Sequence, residues 1–275
     1  MRHAAPTATA PVRAEAVVTR NDPAEGPHFR LRAHVPGWPG SRPGQFVMIT
    51  PGAITEVRRD DPLLPRPMAV FRESAGPAPE VEIVYKVEGR GTALLADVAV
   101  GDRVRVVGPL GRPFPLPAAG DSVVVVGGGT GVASLYGLVA AAPNGVRQTV
   151  VLGARCGDDL MAREDFERTG AEILFTTEDG SLGEAGLVTE PLARLLAEDA
   201  ITSVYCCGPT SMMRACSELA AKHQVPCLVS LENTMACGYG VCLGCAVPRL
   251  AGDYALVCRD GPVFDSREIA WEGLL

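Results

Sequence analysis

The sequence predicts an antiparallel β-barrel, then a parallel α/β domain, then a small cysteine-rich segment. Three observations carry that reading. Short runs that alternate apolar and polar residues, separated by proline and glycine, fill the first half of the chain. Fully apolar runs alternate with helical stretches in the second half. Four closely spaced cysteines then follow residue 231. The expected divisions are a disordered tail at 1–11, the barrel at 12–118, the α/β domain at 119–230 and the cysteine segment at 231–275.

In the barrel half, strands are read at 14–19, 29–35, 45–50, 68–71, 81–87 and 103–107. The run Val81-Glu82-Ile83-Val84-Tyr85-Lys86-Val87 shows the two-residue period of a strand with one buried face. Six such strands with turn residues between them suit a closed or nearly closed antiparallel barrel. Residues 91–98 are the one helix expected there. The pattern changes at Gly120. Residues 123–126 are four valines, and residues 132–142 follow with helical character. Strands at 149–153, 172–176 and 203–207 then alternate with helices near 164–169, 190–197 and 211–223. Apolar strands between helices mean a parallel sheet covered on both faces, and a strand at 226–230 is expected to complete it. Residues 122–145 carry no charge, a length that could cross a bilayer on hydropathy alone. Glycines at 127–129 and 131 interrupt it after four valines, so a strand, a tight turn and a helix are expected rather than a membrane span.

At 275 residues the chain has room for two domains and a sizeable core. A formal charge of −7 argues against a nucleic-acid partner, which would need a basic face. The first residues, MRHAAPTATAPVR, contain no apolar core and do not read as a signal peptide. Of nine cysteines, Cys156, Cys206, Cys207, Cys216 and Cys227 show no paired framework, which favours a reducing cytoplasm. The four histidines do not cluster.

The remaining cysteines, Cys237, Cys242, Cys245 and Cys258, form a C-x4-C-x2-C…C series within MACGYGVCLGC and beyond. That is the spacing of a plant-type [2Fe–2S] site, in which four thiolates hold two irons. Gly238, Gly240 and Gly244 stand between the ligands, where a chain that turns its amides toward sulfur needs room. A structural zinc is the alternative. It usually takes two C-x2-4-C pairs, whereas one triplet and a distant fourth cysteine occur here. The twelve residues before Cys258 make a shorter gap than in plant ferredoxins.

Gly127-Gly128-Gly129-Thr130-Gly131 ends a strand and opens a helix, where backbone amides and the helix dipole can hold a pyrophosphate. Ala133 and Ser134 depart from a strict G-x-G-x-x-G, and a turn that only packs strand on helix is the competing reading. Cys207-Gly208-Pro209 follows another strand, and ligands of open α/β sheets bind beyond such carboxyl ends. Cys207 is therefore expected at the mouth of the crevice, although a lone cysteine there is more often a small buried hydrophobe. In the barrel half, Arg66-Pro67-Met68-Ala69 offers a bidentate phosphate donor. Gly91-Thr92 can add amides ahead of a helix.

Together with Pro43-Gly44-Gln45-Phe46, these motifs resemble the ferredoxin–NADP reductase superfamily, which joins a flavin-binding barrel to a nicotinamide-binding domain. The run from Glu232 to Cys245, followed by Cys258-Arg259-Asp260-Gly261-Pro262-Val263-Phe264, looks like the electron-transfer subunits of class 1B dihydroorotate dehydrogenases. The resemblance implies FAD on the barrel, NAD(H) on the α/β domain and one [2Fe–2S] cluster. It places Arg66, Pro67, Met68 and Ala69 along the flavin and its phosphates, Val84, Tyr85 and Lys86 at its border, and Gly91 and Thr92 at the pyrophosphate. It places Cys207 near the nicotinamide and flavin. Ala69 stands where the family usually carries a hydroxyl near flavin N5. The implied partner is an FMN-containing catalytic subunit, in a dimer of heterodimers, and the implied role is electron transfer to NAD+ in pyrimidine synthesis. A reductase subunit of a hydrogenase, sulfide dehydrogenase or transhydrogenase would share these cofactors. A zinc-stabilised binding module would have neither flavin nor iron.

Overall fold

The computed structural model describes residues 10–55, 61–198 and 200–274. Residues 1–9, most of the expected disordered tail, lie outside the described residues. The first sheet holds β1 (Val12–Pro23), β2 (His28–His34), β3 (Phe46–Ile49), β4 (Arg66–Ala69), β5 (Arg72–Ser74), β6 (Glu80–Lys86) and β7 (Arg103–Leu110), in the order β4-β3-β7-β1-β2-β6-β5, with every pair antiparallel. β4 and β5 lie at opposite edges yet are consecutive in the chain. Val70 N donates to Gln45 O beside β3, and Phe71 N donates to Glu82 O on β6. The run from β4 to β5 therefore spans both edges and nearly closes the barrel. It counts as one strand in the sequence and two in the structure. Alternation fills the interior with Val18, Leu31, Ala33, Val81, Ile83, Tyr85, Val104 and Val106. Helix α1 (Arg90–Ala96) is the expected single helix of this half.

The second sheet runs β11-β10-β9-β8-β12-β13-β16. Its parallel members are β8 (Ser122–Gly128), β9 (Arg147–Ala154), β10 (Glu172–Thr177), β11 (Glu184–Ala185), β12 (Ser203–Cys207) and β13 (Cys227–Ser230). Helices α3 (Arg163–Glu167), α4 (Thr189–Glu198) and α5 (Thr210–Lys222) fall where expected. The single helix expected at 132–142 does not form. A 3₁₀ turn, Gly129–Ser134, leads instead into a short α2, Tyr136–Ala140. Bonds such as Leu135 N to Val132 O span three residues and tighten the chain as it leaves β8.

The sheet also does not finish at β13. β16 (Val263–Asp265), from the cysteine segment, pairs antiparallel with it through Val229 and Phe264. Between them lies a hairpin of β14 (Ala246–Pro248) and β15 (Tyr254–Leu256). The C-terminal segment is thus laced into the α/β core. One apolar cluster joins Phe46, Met48 and Leu110 of the barrel to Val229 and to Met235, Leu256 and Phe264 of that segment. No helix among the described residues is long and apolar enough to cross a membrane.

Charged groups also hold the barrel to the α/β domain. Asp165 on α3 is buried and accepts from Arg30 on β2 and, at 2.8 Å, from Arg72 on β5. Arg30 in turn donates to the buried Glu82 at 2.6 Å. Arg72 bonds the Tyr136 hydroxyl at 2.6 Å and lies over its ring, while Phe71 stacks on Tyr136 at 4.3 Å.

Candidate functional site

β8 has β9 on one side and β12 on the other, so the crossovers that leave β8 and reach β12 diverge and open a crevice at the carboxyl ends of the strands. A cleft of about 690 Å3 occupies that place. Of the residues expected to bind a dinucleotide, Gly128, Gly129, Thr130, Gly131, Gly208 and Pro209 line it, and Lys86 joins them from β6. The two loops touch backbone to backbone. A Cβ on Gly131 would fall 2.5 Å from Gly208 N and 2.6 Å from the Cys207 carbonyl carbon, and one on Gly128 would fall 2.5 Å from Met212 Sδ. Gly131→Ala is expected to force the loops apart, costing about 1–3 kcal/mol of stability and weakening nucleotide binding. An unchanged melting temperature and NADH titration would show that the contact yields freely.

Two expected residues are not in the cleft wall. Gly127 lies behind it, where Val132, Leu135 and Leu152 press within 2.8–3.2 Å of its would-be Cβ. Cys207 is 0% exposed and packs in an apolar cluster with Phe71, Val84 and Tyr205, so its thiol does not open on the cleft as expected. Burial, and then Glu232, push that thiol up to about 12, against the pull of Ser134 and Ser230. It is a neutral donor, bonded to Ser230 O at 3.3 Å.

The cleft also gathers Arg155 and Asp159 from the charged run that follows the second strand, and Glu178 from the acidic run further on, which the sequence offers as a cation and carboxylates near the ribose. It adds His28 and Thr176, for which the sequence holds no motif, and Glu232 from the head of the cysteine segment. Burial lowers the pKa of His28 despite its bond to Glu25 O at 2.8 Å, which leaves a neutral ring with Nδ1–H donating. Glu232 is reached by solvent through the cleft and walled by protein elsewhere. That enclosure, and then Glu88, raise its pKa. Among the described residues, Thr176 Oγ1 is the buried side-chain polar atom with no partner, a group that a polar ligand in this cleft would satisfy.

On the barrel, the Arg66 guanidinium lies over the start of α1, so close that a Cβ on Gly91 would sit 2.6 Å from Nη2. The amides of Gly91 and Thr92 and a fixed guanidinium thus meet at one point, a donor set suited to phosphate. The Thr92 hydroxyl is occupied locally, accepting from Glu88 N at 3.0 Å and Gly89 N at 3.1 Å. Pro67 lies on β4 between Arg66 and Met68. Met68 leans on the barrel interior and Ala69 on the interdomain cluster. On β6, Val84 faces that same cluster, while the Tyr85 ring turns into the barrel beside Phe29 at 5.9 Å. Tyr85 therefore does not border a ligand with its ring, since neighbouring strand residues point to opposite faces.

The hairpin explains the cysteine spacing. With Ala246 paired to Leu256 and Val257 N bonded to Cys245 O at 3.1 Å, the chain returns Cys258 to Cys245, and their sulfurs lie 3.2 Å apart. Cys237 and Cys242 stand on the preceding loop, close enough for Cys242 to favour the Cys237 thiolate. Burial works against the Cys237 thiolate, but the amides of Cys242, Tyr239 and Val241 outweigh it and bring its pKa to about 6. Burial, and then Cys245, push Cys258 up to about 12 against the Gly240 amide, since two close thiols disfavour a charge on either. Gly238 and Gly240 hold φ of 85° and 84°, and a Cβ on Gly238 would meet Met48 Cγ at 2.4 Å. Among the described residues no three Cys, His, Asp or Glu side chains converge to chelate one ion. A single tetrahedral zinc needs four donors at one point, whereas a two-iron cluster spreads its four thiolates over two metals. The close Cys245–Cys258 pair, with Cys237 and Cys242 on the preceding loop, fits the second case.

The iron-sulfur cluster binding domain of dihydroorotate dehydrogenase B matches residues 232–270, and the oxidoreductase NAD-binding domain matches residues 125–218. The dihydroorotate dehydrogenase B (NAD(+)) electron transfer subunit of Desulforamulus reducens is 40% identical over 236 residues, which cover 84% of this chain and 87% of that protein. The Geobacillus kaustophilus protein of the same name is 42% identical over 234 residues, covering 83% and 86%. A chain of the NADH-dependent reduced ferredoxin-NADP oxidoreductase structure superposes with a TM-score of 0.81 at 32% identity, covering 94% of this chain and 90% of that one. The chain belongs to the family of electron transfer subunits of dihydroorotate dehydrogenase B (NAD(+)).

Proposed function

We propose that this chain passes electrons from a separate, FMN-containing dihydroorotate dehydrogenase subunit to NAD+ in pyrimidine (UMP) synthesis, using one [2Fe–2S] cluster and FAD. The observation that carries the reading is the return of Cys258 to within 3.2 Å of Cys245, beside the loop that holds Cys237 and Cys242, on a chain that also holds a dinucleotide cleft. Bound flavin exchanges a hydride with nicotinamide and single electrons with an iron–sulfur cluster, so a chain holding all three joins the two kinds of transfer.

The residues have separate tasks. Arg66 and the Gly91 and Thr92 amides would hold flavin phosphates, with Pro67, Met68, Ala69, Val84 and Lys86 at the ring's border. The amides of Gly128, Gly129, Thr130 and Gly131 would face the NAD pyrophosphate, with Gly208 and Pro209 opposite. One thiol pair would ligate each iron. Ala69 supplies no hydroxyl toward the flavin. The oxidation of dihydroorotate falls to the partner subunit, and this chain carries its electrons onward. The cluster loop exposes Tyr239, Val241 and Leu243, an apolar rim suited to a protein partner. A dimer of heterodimers in the cytoplasm is the expected setting, with residues 12–118, 119–230 and 231–275 as the working divisions.

Purified anaerobically, the chain is expected to carry about one FAD and two irons. Cys242→Ser should lose the iron and its visible bands while retaining most FAD, because the flavin motifs lie on the barrel. Zinc in place of iron would overturn the cluster assignment. The 32% identity to a chain of the NADH-dependent reduced ferredoxin-NADP oxidoreductase structure favours a second reading, a reductase subunit of a nicotinamide-linked complex of that kind. Co-purification decides between them: a dihydroorotate-oxidising partner supports the first, and a second pyridine-nucleotide flavoprotein supports the other.

A further inference from the structure

In dinucleotide-binding sheets, an acidic residue after the second strand suits an unmodified ribose 2′-hydroxyl, and an arginine there accommodates a 2′-phosphate. The second strand here is β9, and it runs through Ala154 into Arg155, which lines the cleft. By position alone, Arg155 would favour NADP(H). The structure opposes this. Asp159, in the 3₁₀ turn Gly157–Asp159 that follows, places Oδ2 3.0 Å from Arg155 Nη2 and Oδ1 3.7 Å from Lys86 Nζ. Its side chain is only 16% exposed, whereas that of Arg155 is 73% exposed. The sequestered member of the pair is therefore the carboxylate, fixed between the two cations of the cleft wall. Glu178, at the end of the adjacent strand, adds a further negative charge to the same wall.

We propose that Asp159 sets the preference of this cleft for NAD(H) over NADP(H) by pairing Arg155 and Lys86. The inference rests on the reading of the cleft as the dinucleotide site. An exposed Arg155–Asp159 pair is weak in itself, so the arginine is not locked. What Asp159 does is cancel the charge that a 2′-phosphate would meet. An arginine that swung to the phosphate would leave a largely enclosed carboxylate beside a dianion. Removing that one charge, a few ångströms from the phosphate in a medium of intermediate dielectric, is expected to change the relative affinity for NADP+ by about tenfold or more.

Calorimetric titration of the purified holo-chain with NAD+, NADP+, AMP and 2′,5′-ADP tests this without relying on turnover. Wild type is expected to bind NAD+ and AMP more tightly than their 2′-phosphorylated counterparts. Asp159→Asn, which keeps the shape, should narrow both gaps by about tenfold. Arg155→Ala should then cost the variant that gain, yet change NADP+ binding less than about threefold in the wild-type background. A gap that stays the same in Asp159→Asn overturns the proposal. So does a large loss of NADP+ affinity from Arg155→Ala alone, since Arg155 would then reach the phosphate with Asp159 in place. Because Arg155 is exposed, that second variant gives an answer even where Asp159→Asn does not fold. Wild type that binds neither dinucleotide would instead overturn the reading of the cleft, and the inference with it.

Discussion

Cys245→Ser is expected to abolish NAD+-linked dihydroorotate oxidation by the reconstituted two-subunit enzyme, while NADH-driven reduction of an artificial dye by the isolated variant continues. Cys245 is 1% exposed and 3.2 Å from Cys258, inside the cluster that packs the cysteine segment on the barrel. Serine keeps the volume but replaces a soft thiolate with a hard hydroxyl of far higher pKa, which is a poor iron ligand. One thiol pair is then incomplete. The route from partner to flavin is cut there, and the route from NADH to flavin, through the cleft at β8 and β12, is untouched. Stopped-flow and steady-state assays on the same preparation read both halves. Equal loss of dye reduction and dihydroorotate oxidation would mean that Cys245 acts through the fold. Retention of both would remove the cluster from the electron path.

The barrel, the parallel sheet and the iron-sulfur segment were legible because each rests on local pattern. Alternation in residues 81–87 marked a strand even though both of its faces are buried, Val81, Ile83 and Tyr85 in the barrel and Glu82 and Val84 toward the other domain. The four valines after Ser122 follow from a strand buried on both faces. The cysteine spacing is itself the chemistry. What the chain did not show locally depends on distant approach. No motif marks β16, because Val263–Asp265 is three residues long and acquires its partner only when the cysteine segment folds back on β13. The hairpin that returns Cys258 to Cys245 has the same character, since its register depends on a turn closed by Arg249 and Asp253. The expected helix at 132–142 failed for a local reason: the tight turn leaving β8 was not visible in hydrophobic spacing.

The candidate site divides in the same way. Its glycines were readable because close approach leaves no substitute for them. Of its charged residues, Lys86 and the run holding Arg155 and Asp159 were readable singly, but their meeting was not, because Lys86 and His28 come from the barrel and Asp159 and Glu232 from elements far along the chain. Cys207 was misplaced for a related reason. Its position as the last residue of β12 puts it at the carboxyl end, but strand alternation turns the thiol into the interdomain cluster.

Asp165→Asn is expected to cost about 3–5 kcal/mol of stability, a fall in melting temperature on the order of 10 °C, and to slow NADH-to-flavin transfer as well. The carboxylate is nearly enclosed and accepts from two arginines that belong to the other domain. Asparagine fits the space but leaves Glu82 facing both arginines, at 2.6 Å from Arg30 and 3.9 Å from Arg72, while it also pairs with Arg32. Two arginines then share one carboxylate in a largely buried seam, and under-compensated buried charge is the costly outcome of breaking such a network. The second consequence is geometric. Arg72 also holds Tyr136, and Tyr136 stacks on Phe71 at the seam between flavin barrel and nucleotide domain. Loosening that seam lets the nicotinamide and flavin sites drift, and a misplacement of about 1 Å can lower transfer by about a hundredfold. Arg72→Lys separates the two effects. It retains a charge for Asp165 but cannot span Asp165 and Tyr136 at once, so it should spare most of the stability and still slow the hydride step. A hydride rate unchanged in both variants, measured by flavin absorbance after mixing with NADH, would assign this network to stability alone.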